Sequence, residues 1–254
     1  MNTLSINTEN FLWADWPAPA HVRAVCTTRG GGLSQMPYDS LNLGDHVGDD
    51  PRAVAENRAR LRNVLSLPAE PCWLQQVHGS CAVDAAAQAL PCQADAAYTD
   101  QSGVVCAVLT ADCLPLLLCD RAGTRVAAVH AGWRGLASGV IERALEGFAA
   151  SGNELMAWLG PAIGPRAFEV GDAVRAEFVA HATAATAAFQ AGRAGHWYAD
   201  LYTLARQRLA ARGVTAVYGG DHCTFSDAAR FYSFRRDGVT GRMASLIWLD
   251  QALE

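Results

Sequence analysis

"GVVCAVLTADCLPLLLCDRAGTRVAAVHAGWRG", residues 103–135, decides the fold. Three apolar runs, GVVCAVLTA (103–111), LPLLLCD (114–120) and TRVAAVHA (124–131), follow one another almost without a break. Short apolar runs without polar alternation are the pattern of strands buried on both faces. The break around AG (122–123) suits a tight hairpin. A two-residue turn there pairs His130 with Pro115 and sets Cys113 diagonal to the histidine on the same face. Diagonal neighbours lie roughly 7–8 Å apart at Cα, within joint reach of two side chains. A three-residue loop would put the two on opposite faces.

Working outward, VRAVCTT (22–28) and CWLQQVHG (72–79) read as strands, with a long Gly/Asp/Asn-rich loop over 29–50 after the first. Asp50 as N-cap and Pro51 as first residue predict a helix over 51–65. Beyond the central runs, helices are predicted at 136–151, 171–189 and 200–213, the last capped by Asp200 and ended by Gly213. Strands are expected at 154–162, 214–220 and 242–249. With no internal repeat or composition break, the chain is expected to form one α+β domain over 1–254, with mixed β-sheets flanked by helices.

Of 254 residues, 51% are hydrophobic and 18% charged, enough apolar material for a full core. The net charge is −5 and there is no basic run, which argues against nucleic acid or an anionic membrane as partner. No export signal or bilayer-length apolar run stands out, so a cytoplasmic protein is expected. The eight cysteines form no CxxC pair and are expected as reduced thiols.

A thiolate and an imidazole converging beside a sheet have two chemical readings: a nucleophile with its base, or two ligands of a soft divalent metal. A third ligand favours the metal, and His78 in QQVHGS is the best candidate. His78, Cys113 and His130 with a fourth position open is the donor set of a catalytic zinc site. Asp112, beside Cys113, could orient a ligand or a bound water. Arg29, followed by three glycines, and Arg134, before a helix start, suit an anionic substrate, as does Arg235 in FYSFRRDG. Asn42 in LNLGDHVGDD offers hydrogen bonds. Glu169 in GPAIGPRAFEVG is either a general base or a charge at a helix start.

TTRGGGLS, LNLGDHVGDD, QQVHGS, ADAAYTD, LTADCLPLLLCD, AVHAGWRGL, GPAIGPRAFEVG and FYSFRRDGVTGRMASLIWL occur in this order. Together they resemble the YfiH-type family, also called laccase-domain proteins, over nearly the whole chain. The resemblance implies a single domain of helices around β-sheets, related to cysteine-hydrolase-like folds. It implies a metal site at His78, Cys113 and His130, usually zinc, with copper as the other metal. It implies purine nucleoside phosphorylase activity on adenosine, inosine, guanosine and methylthioadenosine, with adenosine deamination. The partners expected are a nucleoside and phosphate, and the protein a monomer or weak dimer. Cys113, His78, His130, Arg29 and Arg134 are then the catalytic candidates, and Asn42, Asp112, Glu169 and Arg235 the substrate-binding ones. The rival is a Cys113-dependent amidase that edits peptidoglycan precursors. The older description, a multicopper polyphenol oxidase, is least favoured, because one His/Cys/His site cannot hold several coppers.

Overall fold

Three sheets carry the chain in the computed structural model, which describes residues 10–89 and 91–250. A five-stranded sheet has the order β1 (Phe11–Trp13), β2 (Val22–Thr27), β14 (Met243–Leu249), β6 (Val105–Thr110), β3 (Cys72–Trp73). A six-stranded sheet has the order β13 (Ala216–Gly219), β9 (Leu155–Leu159), β7 (Leu114–Asp120), β8 (Val126–Ala131), β5 (Ala96–Thr99), β4 (Ala82–Asp84). A small one joins β10 (Glu169–Gly171), β12 (His196–Ala199) and β11 (Phe189–Ala191). Parallel and antiparallel pairs are mixed in both large sheets, as β3 with β6 and β9 with β13 are parallel. The α+β class expected from the sequence is the class observed.

The three apolar runs are all strands, but they do not share one sheet. β6 belongs to the five-stranded sheet and β7 and β8 to the six-stranded one. The two sheets pack face to face. Cys106 and Val108 of β6 share one core with Leu117 and Cys119 of β7 and Val126 and Ala128 of β8. The opposite face of the six-stranded sheet, with Leu114, Leu116 and Leu118, packs under α2 (Trp133–Ala137), α3 (Val140–Leu145) and α5 (Leu201–Ala211). The outer face of the five-stranded sheet, with Val105 and Leu246, is covered by α1 (Pro51–Leu65) through Leu61. Each central strand is therefore buried on both sides, which is why its sequence does not alternate.

The β7–β8 hairpin keeps the predicted register, Pro115 opposite His130, though its turn is longer than two residues. Residues 121–124 form the loop. The Asp120 carboxylate accepts from the backbone of Thr124 (2.7 Å) and Arg125 (3.1 Å), closing four residues without shifting the pairing. Helix α1 has the predicted bounds, with Asp50 accepting from Arg52 N–H at 2.9 Å.

Elsewhere the structure departs from the sequence reading. The 72–79 strand stops at Trp73. Beyond it the Gln76 side chain pairs with the Leu109 backbone (2.7 and 2.8 Å), standing in for a strand's own amide. The 136–151 helix is two short ones, starting at Trp133 and divided at Gly139, whose φ of 90° no helix accommodates. The 171–189 helix ends at His181, as α4 (Asp172–His181), and passes through a 3₁₀ segment into β11. The four-residue α6 (Phe234–Asp237) was not anticipated. No helix among the described residues is long and apolar enough to cross a membrane.

Candidate active site

The hairpin brings Cys113 and His130 together at one end of the six-stranded sheet. His78 arrives from the irregular segment after β3, with a φ of 60° that turns the chain sharply. Ligand atoms of His78, Cys113 and His130 lie within 4.8 Å of one another. The Cys113 Sγ is 3.9 Å from His78 Nε2, and the two imidazoles meet edge to face with centroids 4.8 Å apart. His130 is buried, Cys113 half-buried and His78 exposed, so the cluster opens to solvent on one side.

Asp95, at the threshold of β5, holds two of the three in place. Its buried carboxylate meets His130 Nδ1 at 2.8 Å and accepts the backbone N–H groups of Val77 (3.2 Å), His78 (2.9 Å) and Gly79 (2.7 Å). Asp95 thus fixes which His130 nitrogen faces Cys113, and clamps the turn that carries His78. Burial alone would raise the Asp95 pKa. The His130 ring and the Gly79 and Val77 amides outweigh it and hold the group below its ordinary value. Burial likewise opposes a Cys113 thiolate, but the facing His130 and hydrogen bonds to both histidines bring its pKa down to about 6. Burial opposes charge on His130 too. The Cys113 thiolate and the Asp95 carboxylate prevail and raise it to about 9. Each group thus favours the charged form of the other. A Cβ at Gly132 would meet Cys113 Sγ at 3.0 Å, His78 Cδ2 at 3.2 Å and His130 Cε1 at 3.6 Å, so the glycine leaves space beside all three.

Beside the cluster lies a cavity of about 260 Å³ whose lining includes His78, Cys113, Trp133, Arg134, Phe234 and Arg235. Arg134 lies over the Trp133 ring, 4.6 Å from its centroid. Arg235 lies over Phe168 at 5.3 Å and donates to the Glu169 carbonyl at 2.9 Å. Asp112 also lines the cavity, but both carboxylate oxygens are engaged, one by Thr224 Oγ1 (2.6 Å) and one by Arg235 N–H (2.7 Å).

Three expected site residues stand elsewhere. Arg29 is a staple: it donates to the carbonyls of Asp39 (3.0 Å) and Ala228 (3.1 Å), pairs with the Asp39 carboxylate (3.3 Å) and stacks on Tyr232. Asn42 is fully buried and folds the 29–50 loop, bonding the Gly44 backbone, Asp49 and the Arg242 amide. The Glu169 carboxylate pairs with Arg193 at 3.0 Å, outside the cavity lining. Sequence reading missed Asp95, Gly132 and Phe234. The one available signal was an acid, in QADAAYTD, set directly before a buried strand.

The family model described as multi-copper polyphenol oxidoreductase laccase matches residues 23–250. The chain belongs to this family. A purine nucleoside phosphorylase of Pseudomonas aeruginosa is 60% identical over 240 residues, covering 94% of this chain and 98% of that protein. The Escherichia coli purine nucleoside phosphorylase YfiH is 55% identical over 236 residues, covering 92% and 96%. Among solved structures, a Neisseria meningitidis protein assigned to DUF152 superposes with a TM-score of 0.92 at 53% identity, over 95% of this chain and 100% of that one. YlmD from Geobacillus stearothermophilus gives 0.84 at 31% identity, over 98% and 99%.

Proposed function

We propose that this chain is a purine nucleoside phosphorylase that also deaminates adenosine, with zinc held by His78, Cys113 and His130. The observation that carries this reading is the meeting of those three donor groups within 4.8 Å at a cavity bearing two guanidinium groups. The names of relatives at 60% and 55% identity support it.

Two imidazoles and a thiolate suit zinc, with copper as the other metal, and the space at Gly132 gives an ion room beside all three ligands. Bound zinc would supply Lewis acidity and a water of lowered pKa, the chemistry that deamination requires. Phosphorolysis requires that phosphate be held against the anomeric carbon while the purine departs. In this reading the phosphate meets Arg134 and Arg235, which line the cavity, rather than Arg29. Their positive charge would hold the phosphate dianion against the anomeric carbon while the C1′–N9 electron pair leaves with the purine. Asp95 keeps the His130 tautomer fixed, so the nitrogen that faces Cys113 stays available.

A second reading has a specific observation in its favour. Cys113 faces His130, which Asp95 holds at 2.8 Å, a nucleophile, base and orienting carboxylate, and the facing histidine lowers the thiol pKa. That arrangement suits a metal-free amidase acting on a peptidoglycan precursor. A multicopper oxidase finds no such support. The described residues hold a single group of three or more metal-ligating side chains, while His21 bonds Gly123 and His181 meets Arg208.

Product analysis separates the readings. Adenosine should give adenine and ribose 1-phosphate only when phosphate is present, and inosine when it is absent. Amide cleavage of an alanine- or serine-bearing muropeptide precursor by chelated protein, lost in Cys113→Ala, would replace the phosphorylase reading with the amidase one.

A further inference from the structure

We infer that Phe234 is the platform on which the purine ring stacks, and that Asp112 is the positioning residue that fixes this platform relative to Cys113. The inference rests on the nucleoside reading above.

Phe234 is 58% exposed, yet the short helix that carries it is anchored at several points. Four residues cannot sustain a helix alone. Here Ser233 Oγ accepts from Arg236 N–H (3.2 Å) and Asp112 accepts from Arg235 N–H (2.7 Å). The Arg236 guanidinium donates to the carbonyls of Thr224 (2.8 Å), Phe225 (3.0 Å) and Phe231 (2.9 Å). Ser233, Tyr232 and Phe231 just before the helix are fully buried. The fold thus anchors α6 firmly while leaving its large apolar ring at the cavity, where burial contributes little to stability. A rigidly held aromatic face at the mouth of a reactive site is preorganised for a flat ligand.

The surroundings specify that ligand. Each Phe and Trp ring of the cavity lining carries a guanidinium: Arg134 over Trp133 at 4.6 Å, Arg235 over Phe168 at 5.3 Å, Arg242 over Phe234 at 6.0 Å. Aromatic faces beside fixed positive charge suit a molecule with a planar heterocycle and an anionic co-substrate, which is a purine nucleoside with phosphate. The cavity's carboxylate, Asp112, is occupied on both oxygens, so it does not read the purine edge. Stacking then supplies the base affinity. Asp112 itself has a φ of 94°, a conformation rare outside glycine and concentrated at functional sites. It follows Ala111, precedes Cys113 and bonds α6, which makes it the direct link between thiol and platform.

The test uses the full-length zinc-loaded protein and three variants, Phe234→Ala, Phe234→Leu and Phe234→Tyr, each checked for an unchanged melting transition. Calorimetric binding of free adenine and of hypoxanthine is measured alongside KM for adenosine and for phosphate. Loss of the ring should weaken both purines to the same extent, roughly tenfold, and raise KM for adenosine while that for phosphate holds. Leucine should fail as alanine does, and tyrosine, which keeps a π face, should restore most of the affinity. Asp112→Asn should weaken purine binding in the same direction, and combining it with Phe234→Ala should add nothing further. Leucine matching tyrosine, a phosphate KM that moves as far as the adenosine KM, or fully additive effects of the pair would overturn the assignment. Purine binding that depends on Phe234 in a protein without phosphorolysis would sink the phosphorylase reading and leave the platform standing. Phosphorolysis with purine binding indifferent to Phe234 would do the reverse.

Discussion

At the scale of single residues, the site depends on one carboxylate shared between a ligand and a turn. Asp95 is fully buried and bonds the His130 ring together with three successive backbone amides. Its replacement by asparagine keeps the volume but puts a donor where one of those donors now points. Outer-shell partners of this kind typically contribute 10–100-fold to metal affinity. Asp95→Asn should lower zinc affinity by that order in a competition titration with a chromogenic chelator, and an unchanged affinity would show that His130 is oriented by something else. The same carboxylate sustains the charge on His130, which in turn depresses the Cys113 pKa to about 6. A lowered thiol pKa means that the thiolate persists above that value and disappears below it. Alkylation of Cys113 by iodoacetamide in chelated protein should therefore hold its rate from pH 8 down to about 7 and fall through pH 6, an ordinary thiol losing rate from near 9. A midpoint above 8 in that profile, read on Cys113 by peptide mapping, would contradict the ion pair. Cys113 and His130 were legible in the sequence because a short hairpin relates them by local counting. Asp95 was not, since it stands 35 residues from His130 and reaches it only after β5 pairs with β8.

Among the elements, those with local punctuation were read correctly and those shaped by distant partners were not. Helix α1 follows from Asp50 and Pro51, and the β7 strand from an apolar run bounded by Cys113 and the 121–124 turn. The strand predicted over 72–79 fails because Gln76 finds the Leu109 backbone, a partner no neighbouring residue announces. The 29–50 loop shows the same limit. Its Gly and Asn content marked it as irregular, and Asn42 ties part of it from within, but its own sequence does not announce the partner that holds the rest. Asn57, on α1, supplies that partner from outside. It accepts from Leu33 N–H at 2.8 Å and donates to Ser34 Oγ (2.9 Å), Ser40 O (3.2 Å) and Asn42 O (2.9 Å). Asn57→Ala would strand several buried polar groups, each costing about 1–3 kcal/mol, partly relieved by water. A net loss of about 3 kcal/mol is expected, with Tm lowered by roughly 6–12 °C and protease cuts appearing within the loop. None of the three proposed metal ligands lies in that loop, so zinc stoichiometry should not change. A variant that melts like the parent would mean that the loop orders itself.

For the whole molecule, the three proposed metal ligands are carried by segments attached to both large sheets. His78 follows a strand of the five-stranded sheet, whereas Cys113 and His130 flank the hairpin of the six-stranded one. In the proposed site, an ion bound by all three would tie the two sheets together and would be bound only while both are in place. Ligand that binds the native state alone stabilises it by about 2.7 kcal/mol at 100 times its Kd. For a chain of this size that corresponds to a rise in Tm of roughly 5–10 °C. Zinc titrated into chelated protein should produce this rise, saturating at one ion per chain. Cys113→Ala should abolish it, because the two imidazoles left behind belong to different sheets and lack the thiolate charge. Saturation above one ion per chain, or a rise that survives Cys113→Ala, would place metal at donors other than these three. That result would also reopen the multicopper chemistry named in the family's description, which a single His/Cys/His centre is too small to perform.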